Sequence, residues 1–172
     1  MRAAAARRWG YHRLSDDWAR RVVVAAGVEA GDLVLDLGAG FGALTRPLAR
    51  TGARVIAVEL HAARAAALRD LAHGDVKVVE ADAVAIALPR RPFRVVANPP
   101  FAVSTAIIRS LTRPGSQLVQ ADLVLPWFVV KRWVAEGSRR WEFTAGMRLP
   151  RHAFAPTATS DTRVLRIARL GR

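Results

Sequence analysis

Short apolar runs closed by turn residues alternate with amphipathic stretches along most of this chain, the pattern of strands followed by helices. Leu33-Val34-Leu35-Asp36-Leu37 reads as a buried strand ending in a glycine loop. Ala43 to Arg50 is the helix after it, with Pro47 in its first turns, where a missing N–H costs least. Arg54 to Leu60 is a second strand, Ala62 to Ala72 an alanine-rich helix and Val76 to Glu80 a third strand. Phe93 to Ala97 is a fourth strand, followed by a helix that Ser104 is placed to cap, and Leu118 to Leu125 is a fifth. Ahead of them all, Ser15 reads as an N-cap, with Asp16 and Asp17 at the positive end of a helix. Its apolar face, Trp18, Val22, Val23 and Ala26, predicts a helix running to Val28.

This alternation predicts an α/β fold, a mostly parallel sheet with helices on both faces. The end differs. Phe143 to Leu149 and Arg163 to Ala168 are strands with too little between them for a crossover helix. They are expected to complete a seven-stranded sheet as an antiparallel pair, one strand reversed.

The 172 residues predict a single domain over 10–172, behind a basic arm of residues 1–9 anchored only by Trp9. Lysine and arginine number 27 against 14 aspartates and glutamates, a formal net charge of +13, while 52% of positions are apolar. That is a globular core under a basic surface rather than a disordered polycation. It points to a polyanionic partner, since Lys and Arg that neutralise phosphates release condensed counterions; an acidic membrane surface would feel the same charge. The absence of cysteine excludes disulfides, thiol catalysis and Cys-based zinc sites. His12, His61, His73 and His152 are not spaced as helical ligand pairs, so no metal is expected. The run Leu123 to Val130 is far short of the ~20 residues of a spanning helix, and Ala3 to Ala6 short of the roughly 7 apolar residues of a signal peptide. A soluble cytoplasmic protein without membrane contact is the expectation.

Chemistry-bearing residues collect where the strands end. Asp36-Leu37-Gly38-Ala39-Gly40-Phe41-Gly42 closes the first strand. Its glycines allow a sharp turn and close approach of a ligand, and the next helix offers N–H groups. The spacing is not that of the dinucleotide-binding loop, and alone it also suits an ordinary strand-to-helix turn. Glu59 ends the second strand, where an acid can accept both hydroxyls of a ribose, although a solvated carboxylate would look the same. Asp82 ends the third. Ligands of open α/β sheets bind at this carboxyl edge, so polar groups at successive strand ends favour an adenosine site.

Asn98-Pro99-Pro100-Phe101 ends the fourth strand and points to a reaction class. An exocyclic adenine amine is a poor nucleophile because its lone pair is delocalised into the ring. The Asn98 side-chain oxygen and the Pro99 carbonyl can accept its two N–H bonds and aim that lone pair at an incoming methyl. The prolines fix the backbone so that both acceptors converge, and Phe101 can stack on a flipped-out base. A Pro-Pro turn with Phe101 in the core is the bland alternative.

Together these segments resemble the class I S-adenosylmethionine-dependent methyltransferases, with their Rossmann-like fold. More narrowly they resemble the ribosomal RNA adenine N6-methyltransferases, that is, the erythromycin-resistance (Erm) enzymes and the 16S rRNA dimethyladenosine transferases. The resemblance runs from Gly10 to Arg169 on Gly10-Tyr11-His12-Arg13-Leu14, Asp36 to Thr45, Val58-Glu59, Asp82-Ala83, Asn98 to Phe101, and Phe154-x-Pro156 with Asp161-Thr162. It implies S-adenosyl-L-methionine as cofactor, with Gly38, Gly40 and their loop on its methionine part, Glu59 on the ribose and Asp82 on the adenine amine. His12 and Leu14 would touch it from the N-terminal segment, and Asp36, Ala39, Leu60, Ala83 and Asn98 complete the cofactor set. Asn98, Pro99, Pro100 and Phe101 would be catalytic, with Phe154 either supporting the target-base pocket or, equally well, filling a core position.

Phe101 leans towards the Erm enzymes, since the 16S enzymes usually carry Tyr there. Departures are Tyr11-His12 for the usual Gln-Asn, Asp36 for a common Glu, and Pro126 where a polar residue is typical. Because the last strand is followed closely by Arg172, the family's helical C-terminal domain is expected to be missing, as in short Erm-like enzymes of actinobacteria. The resemblance implies N6-methylation of an adenine in 23S rRNA and resistance to macrolides, lincosamides and streptogramin B. The enzyme would be a monomer acting before or during ribosome assembly. The rivals are a 16S dimethyladenosine transferase, a DNA adenine methyltransferase and a non-catalytic rRNA-binding module. RNA would meet two basic-aromatic stretches, Arg2, Arg7, Arg8, Trp9, Tyr11 and Arg13, and Trp127, Lys131, Arg132, Trp133, Arg139, Arg140 and Trp141. Trp133 and Trp141 suit core positions better than stacking platforms.

Overall fold

A computed structural model describes residues 12–171 of the protein; Gly10, Tyr11 and the basic arm with Arg2, Arg7, Arg8 and Trp9 lie outside the described residues. The first elements are β1 (Arg13–Leu14), α1 (Asp16–Ala26), β2 (Leu33–Leu37), α2 (Thr45–Ala49), β3 (Arg54–Glu59), α3 (Ala62–Leu71) and β4 (Val76–Glu80). They are followed by β5 (Phe93–Ala97), α4 (Ser104–Thr112), β6 (Leu118–Pro126), α5 (Trp127–Glu136), β7 (Trp141–Leu149), β8 (Phe154–Ala155) and β9 (Thr162–Arg169).

The large sheet has seven strands in the order β4-β3-β2-β5-β6-β9-β7. Strands β2 to β6 pair in parallel. Strand β9 runs antiparallel to both β6 and β7, so within this sheet it is the one reversed strand among the described residues. This is the mostly parallel sheet with an antiparallel closing pair that the pattern predicts.

Alternate residues of each strand feed opposite faces. Leu35, Val58, Val95 and Leu123 join Ile107, Ile108 and Leu111 of α4 and Val129, Val130 and Trp133 of α5 on one face. Val34, Val55, Val96 and Val124 join Ala19, Val22 and Val23 of α1 and Leu48 of α2 on the other. The chain leaves β2 towards β3 and β4, then returns to add β5 and β6 on the opposite side of β2. The order therefore reverses between β2 and β5, and a crevice opens beyond the carboxyl ends of those two strands. The glycine loop and Asn98 stand at that crevice.

Several details depart from the pattern. Helix α5 is not among the elements the sequence predicts, because the apolar run Leu123 to Val130 crosses a strand-to-helix junction at Pro126 and conceals it. Trp133 on this helix and Trp141 at the start of β7 are both in the core, the positions that suit them better than stacking platforms. Helix α2 is shorter than expected, with Ala43 and Leu44 in the turns before it. Helix α1 stops at Ala26, where Gly27 adopts φ 63°. Ser15 is its N-cap by backbone conformation, but its hydroxyl makes no capping bond. Ser104 does not cap α4; it is the first helical residue, and its Oγ donates to the Phe101 carbonyl oxygen at 2.8 Å.

A second, two-stranded sheet pairs Arg13 with Ala155 and Leu14 with Phe154. His12 Nδ1–H donates to the Pro156 carbonyl oxygen at 3.0 Å, and the Ser15 N–H to that of Ala153 at 2.8 Å. The N-terminal segment is thereby bound to the Phe154-x-Pro156 segment across the mouth of the crevice.

Candidate active site

The glycine loop turns on left-handed residues, with φ 78° at Gly38, 59° at Gly40 and 80° at Gly42. At Gly38 space as well as conformation demands glycine. A Cβ there would stand 3.0 Å from Pro100 Cδ and 3.6 Å from Pro99 Cα. The loop after β2 and the tetrapeptide after β5 are therefore in direct contact. The Gly38 and Ala39 N–H groups both donate to the Val58 carbonyl oxygen at 2.9 Å, which holds the loop over the end of β3.

Glu59 is 4% exposed and clasped by backbone. Its Oε2 accepts the Gly40 N–H at 2.8 Å and its Oε1 the His61 N–H at 2.9 Å, while Arg64 lies 3.9 Å from Oε1. The carboxylate so held borders a cavity of about 480 Å³ together with Gly38, Leu60, His61, Asp82, Ala83 and Phe101. Asp82 is exposed at its edge, two residues beyond β4, with Oδ1 accepting the Val84 N–H at 2.9 Å.

Asp36 is buried under the loop and accepts the Thr45 hydroxyl at 2.7 Å. Burial pushes its carboxyl up to about 7; the charge of Glu59 adds to this, and the Thr45 hydrogen bond opposes it. Asp36 borders a narrow cleft with Leu14, Gly38, Ala39 and Asn98.

A second large cavity, about 320 Å³, opens on the other side of the tetrapeptide. Asn98, Pro99, Pro100 and Phe101 form one wall, and Phe128, Phe154 and His12 face them. Pro100 and Phe101 border both of these cavities and so stand between them, while Asn98 and Pro99 border only the smaller one. Asn98 is half-buried and its Nδ2–H donates to the His12 carbonyl oxygen at 3.0 Å, which leaves Oδ1 as an acceptor. Phe101 is 51% exposed and meets Phe128 edge to face, centroids 5.4 Å apart. Phe154 is buried and at the same time borders the cavity.

The structure thus divides the predicted site residues. Gly38, Glu59, Leu60, Asp82 and Ala83 gather at the larger cavity; Asp36, Leu14 and Ala39 gather at the cleft; His12 and Phe154 join the tetrapeptide at the other. Gly40 stands behind Glu59. His12 borders the smaller cavity rather than the larger. Sequence reasoning passes over Thr45, which sits inside the quoted loop motif, and Phe128, which the unbroken apolar run conceals. Among the described residues no group of His, Asp or Glu side chains is gathered as metal ligands would be.

Known proteins resemble this chain in sequence and in fold. The family model "Ribosomal RNA adenine dimethylase" matches residues 7–166. A "Ribosomal RNA small subunit methyltransferase A" of Leifsonia xyli is 42% identical over 118 residues, covering 60% of this chain and 42% of that protein. An "rRNA adenine N-6-methyltransferase" of Corynebacterium diphtheriae is 34% identical over 148 residues, covering 80% of this chain and 58% of that protein. The chain spans about half the length of these curated relatives. Among solved structures, the 23S rRNA methyltransferase ErmE superposes with a TM-score of 0.82 at 25% identity, over 94% of this chain and 70% of that one. A dimethyladenosine transferase from Plasmodium falciparum superposes with a TM-score of 0.78 at 20% identity, over 92% of this chain and 64% of that one.

Proposed function

The chain, folded as a class I S-adenosylmethionine-dependent methyltransferase, belongs to the ribosomal RNA adenine dimethylase family, and we propose that it methylates N6 of an adenine in 23S rRNA. The observation that carries this reading is the placement of Asn98-Pro99-Pro100-Phe101, whose Pro100 and Phe101 stand between two cavities while Asn98 and Pro99 line the smaller of them. A transferase of this kind needs two sites, one for each reactant, meeting at a single point.

The residues around the larger cavity fit S-adenosyl-L-methionine. Glu59 spends one lone pair of each oxygen on the Gly40 and His61 N–H groups, which leaves both oxygens able to accept ribose hydroxyls. Asp82 offers an acceptor for the adenine amine, and Leu60 and Ala83 offer apolar walls for the ring. When bound, the cofactor supplies an electrophilic sulfonium methyl. The narrow cleft is bordered both by Gly38, which also lines this site, and by Asn98.

The chain's own residues then activate the amine. The Asn98 Nδ2–His12 hydrogen bond turns Oδ1 towards the incoming adenine, where it and the Pro99 carbonyl accept the two N6 protons. That draws the nitrogen out of conjugation and directs its lone pair towards the larger cavity. Phe101 offers a face for the flipped base, and Phe154 supports the pocket from the opposite wall. In this reading His12 serves through its carbonyl, by orienting Asn98. The protein acts as a cytoplasmic monomer on rRNA before or during ribosome assembly, and its activity confers macrolide resistance.

Phenylalanine at position 101 and the likeness to ErmE support 23S rRNA as the target. The small-subunit relative supports a second reading, 16S rRNA. Methyl transfer from radiolabelled S-adenosylmethionine to protein-free 23S and 16S transcripts separates them. Label in 23S alone is expected; label in 16S alone favours the second reading, and label in neither overturns both.

A further inference from the structure

Phe128 is 57% exposed, among the most exposed large apolar side chains of the described residues, and it stands at the mouth of the smaller cavity. The Phe101 and Phe128 rings are inclined at 71°. A planar base lying flat on one ring therefore cannot lie flat on the other, so the two rings suit two different bases. Lys131 and Arg132 lie three and four residues further along α5, on the face that Phe128 occupies, and both are exposed. Arg132 is steadied by its bond to Thr105 Oγ1 of α4 at 3.0 Å. Beside them Trp127 is covered by the Arg163 guanidinium at 4.7 Å. The stretch that looks uniformly basic and aromatic in sequence thus separates: Trp133 and Trp141 turn inward, and Phe128, Lys131 and Arg132 turn outward.

We infer that Phe128, with Lys131 and Arg132, forms a second nucleotide site that stacks the base next to the target adenine and neutralises its phosphate. This rests on the reading of the smaller cavity as the target-base pocket. An aromatic face half in water beside two cations is the chemistry of a single-stranded nucleotide platform, where stacking tolerates any base and the cations track the backbone. Holding the neighbouring nucleotide fixes the strand on one side of the flipped adenine, which favours binding of RNA over the chemical step.

The test uses the full chain with S-adenosylhomocysteine and an rRNA fragment that the wild type methylates, carrying 2-aminopurine either at the target or at each flanking position. The wild type should alter fluorescence at the target and at one flank. Phe128→Ala should abolish the flank response and keep the target response. It should raise KM for RNA by roughly 5- to 150-fold, the range for losing one base stack, with the loss falling on KM rather than kcat. Phe128→Trp should restore both readouts, whereas Phe128→Leu, apolar but unable to stack, should not. An undiminished flank response in Phe128→Ala, rescue by Leu equal to that by Trp, or loss of the target response along with the flank response would overturn the inference. A wild type with no target-position response would overturn the reading of the pocket itself, and this inference with it.

Discussion

The Asn98 side-chain amide donates to the backbone carbonyl oxygen of His12, 86 residues away in sequence, at 3.0 Å. One hydrogen bond thus lets the N-terminal segment decide which end of the Asn98 amide faces the smaller cavity. The segment is itself held by the pairing of Leu14 with Phe154 and by the His12–Pro156 bond.

Asn98→Ala removes the oriented acceptor but leaves Glu59, Asp82 and the glycine loop in place. Turnover should fall by at least about 100-fold, the loss typical of one preorganised hydrogen-bonding group, while S-adenosylmethionine affinity changes little. Asn98→Asp keeps an oxygen but sets it against the His12 carbonyl and should not recover activity. Single-turnover kinetics and calorimetry check both; near-normal turnover in Asn98→Ala would sink the mechanism.

Glu59→Ala should weaken cofactor binding by about 1.5–3 kcal/mol, the range for hydrogen bonds to a charged group. Because the Gly40 and His61 N–H groups lose their acceptor as well, the glycine loop should also lose protection in amide exchange. Unchanged cofactor affinity in a folded Glu59→Ala chain would remove Glu59 from the site.

Gly38→Ala tests the contact between the two loops. The new Cβ would need to stand 3.0 Å from Pro100 Cδ on a residue at φ 78°. Both cofactor affinity and turnover should drop together, unlike the split expected for Asn98→Ala. A variant with wild-type kinetics would show that this contact tolerates displacement.

Asp36 links stability to pH. Its carboxyl, pushed up to about 7 from the ordinary 3.8 chiefly by burial, holds its proton more tightly in the folded chain than in the unfolded one. Its contribution is therefore complete below the unfolded value and is lost as pH rises through the folded one, at up to about 1.4 kcal/mol per pH unit. Asp36→Asn cannot ionise and can still accept the Thr45 hydroxyl, so urea midpoints between pH 4 and pH 7 should fall less steeply than in the wild type. The carboxyl of Asp122, also raised chiefly by burial, adds a slope of the same sign to both proteins. Equal slopes in the two proteins would contradict this account.

Strand positions and strand-end chemistry are legible in the sequence because buried parallel strands write their apolar runs directly, and turn residues mark where each one ends. Glu59 and Asn98 could be singled out for that reason. What the sequence withholds is tertiary. The contact of Gly38 with Pro100 joins loops that belong to different strands, and nothing local to either reveals it. Pairing of His12 with Pro156 depends on the same long-range closure. Helix α5 is concealed for a different reason: Pro126 ends a strand and starts a helix inside one apolar run, so periodicity sees no boundary. Phe128 consequently looks like core in the sequence and stands half in water in the fold.

The proposed function requires the tetrapeptide to direct a methyl group to N6 of an adenine in 23S rRNA. The most direct measurement maps N6-methylated adenines across rRNA from cells that lack the gene, carry it, or carry its Asn98→Ala form. The account predicts a methylated 23S adenine only with the intact gene, accompanied by macrolide resistance. A mark confined to 16S rRNA, no new mark, or a 23S mark that survives Asn98→Ala would contradict it.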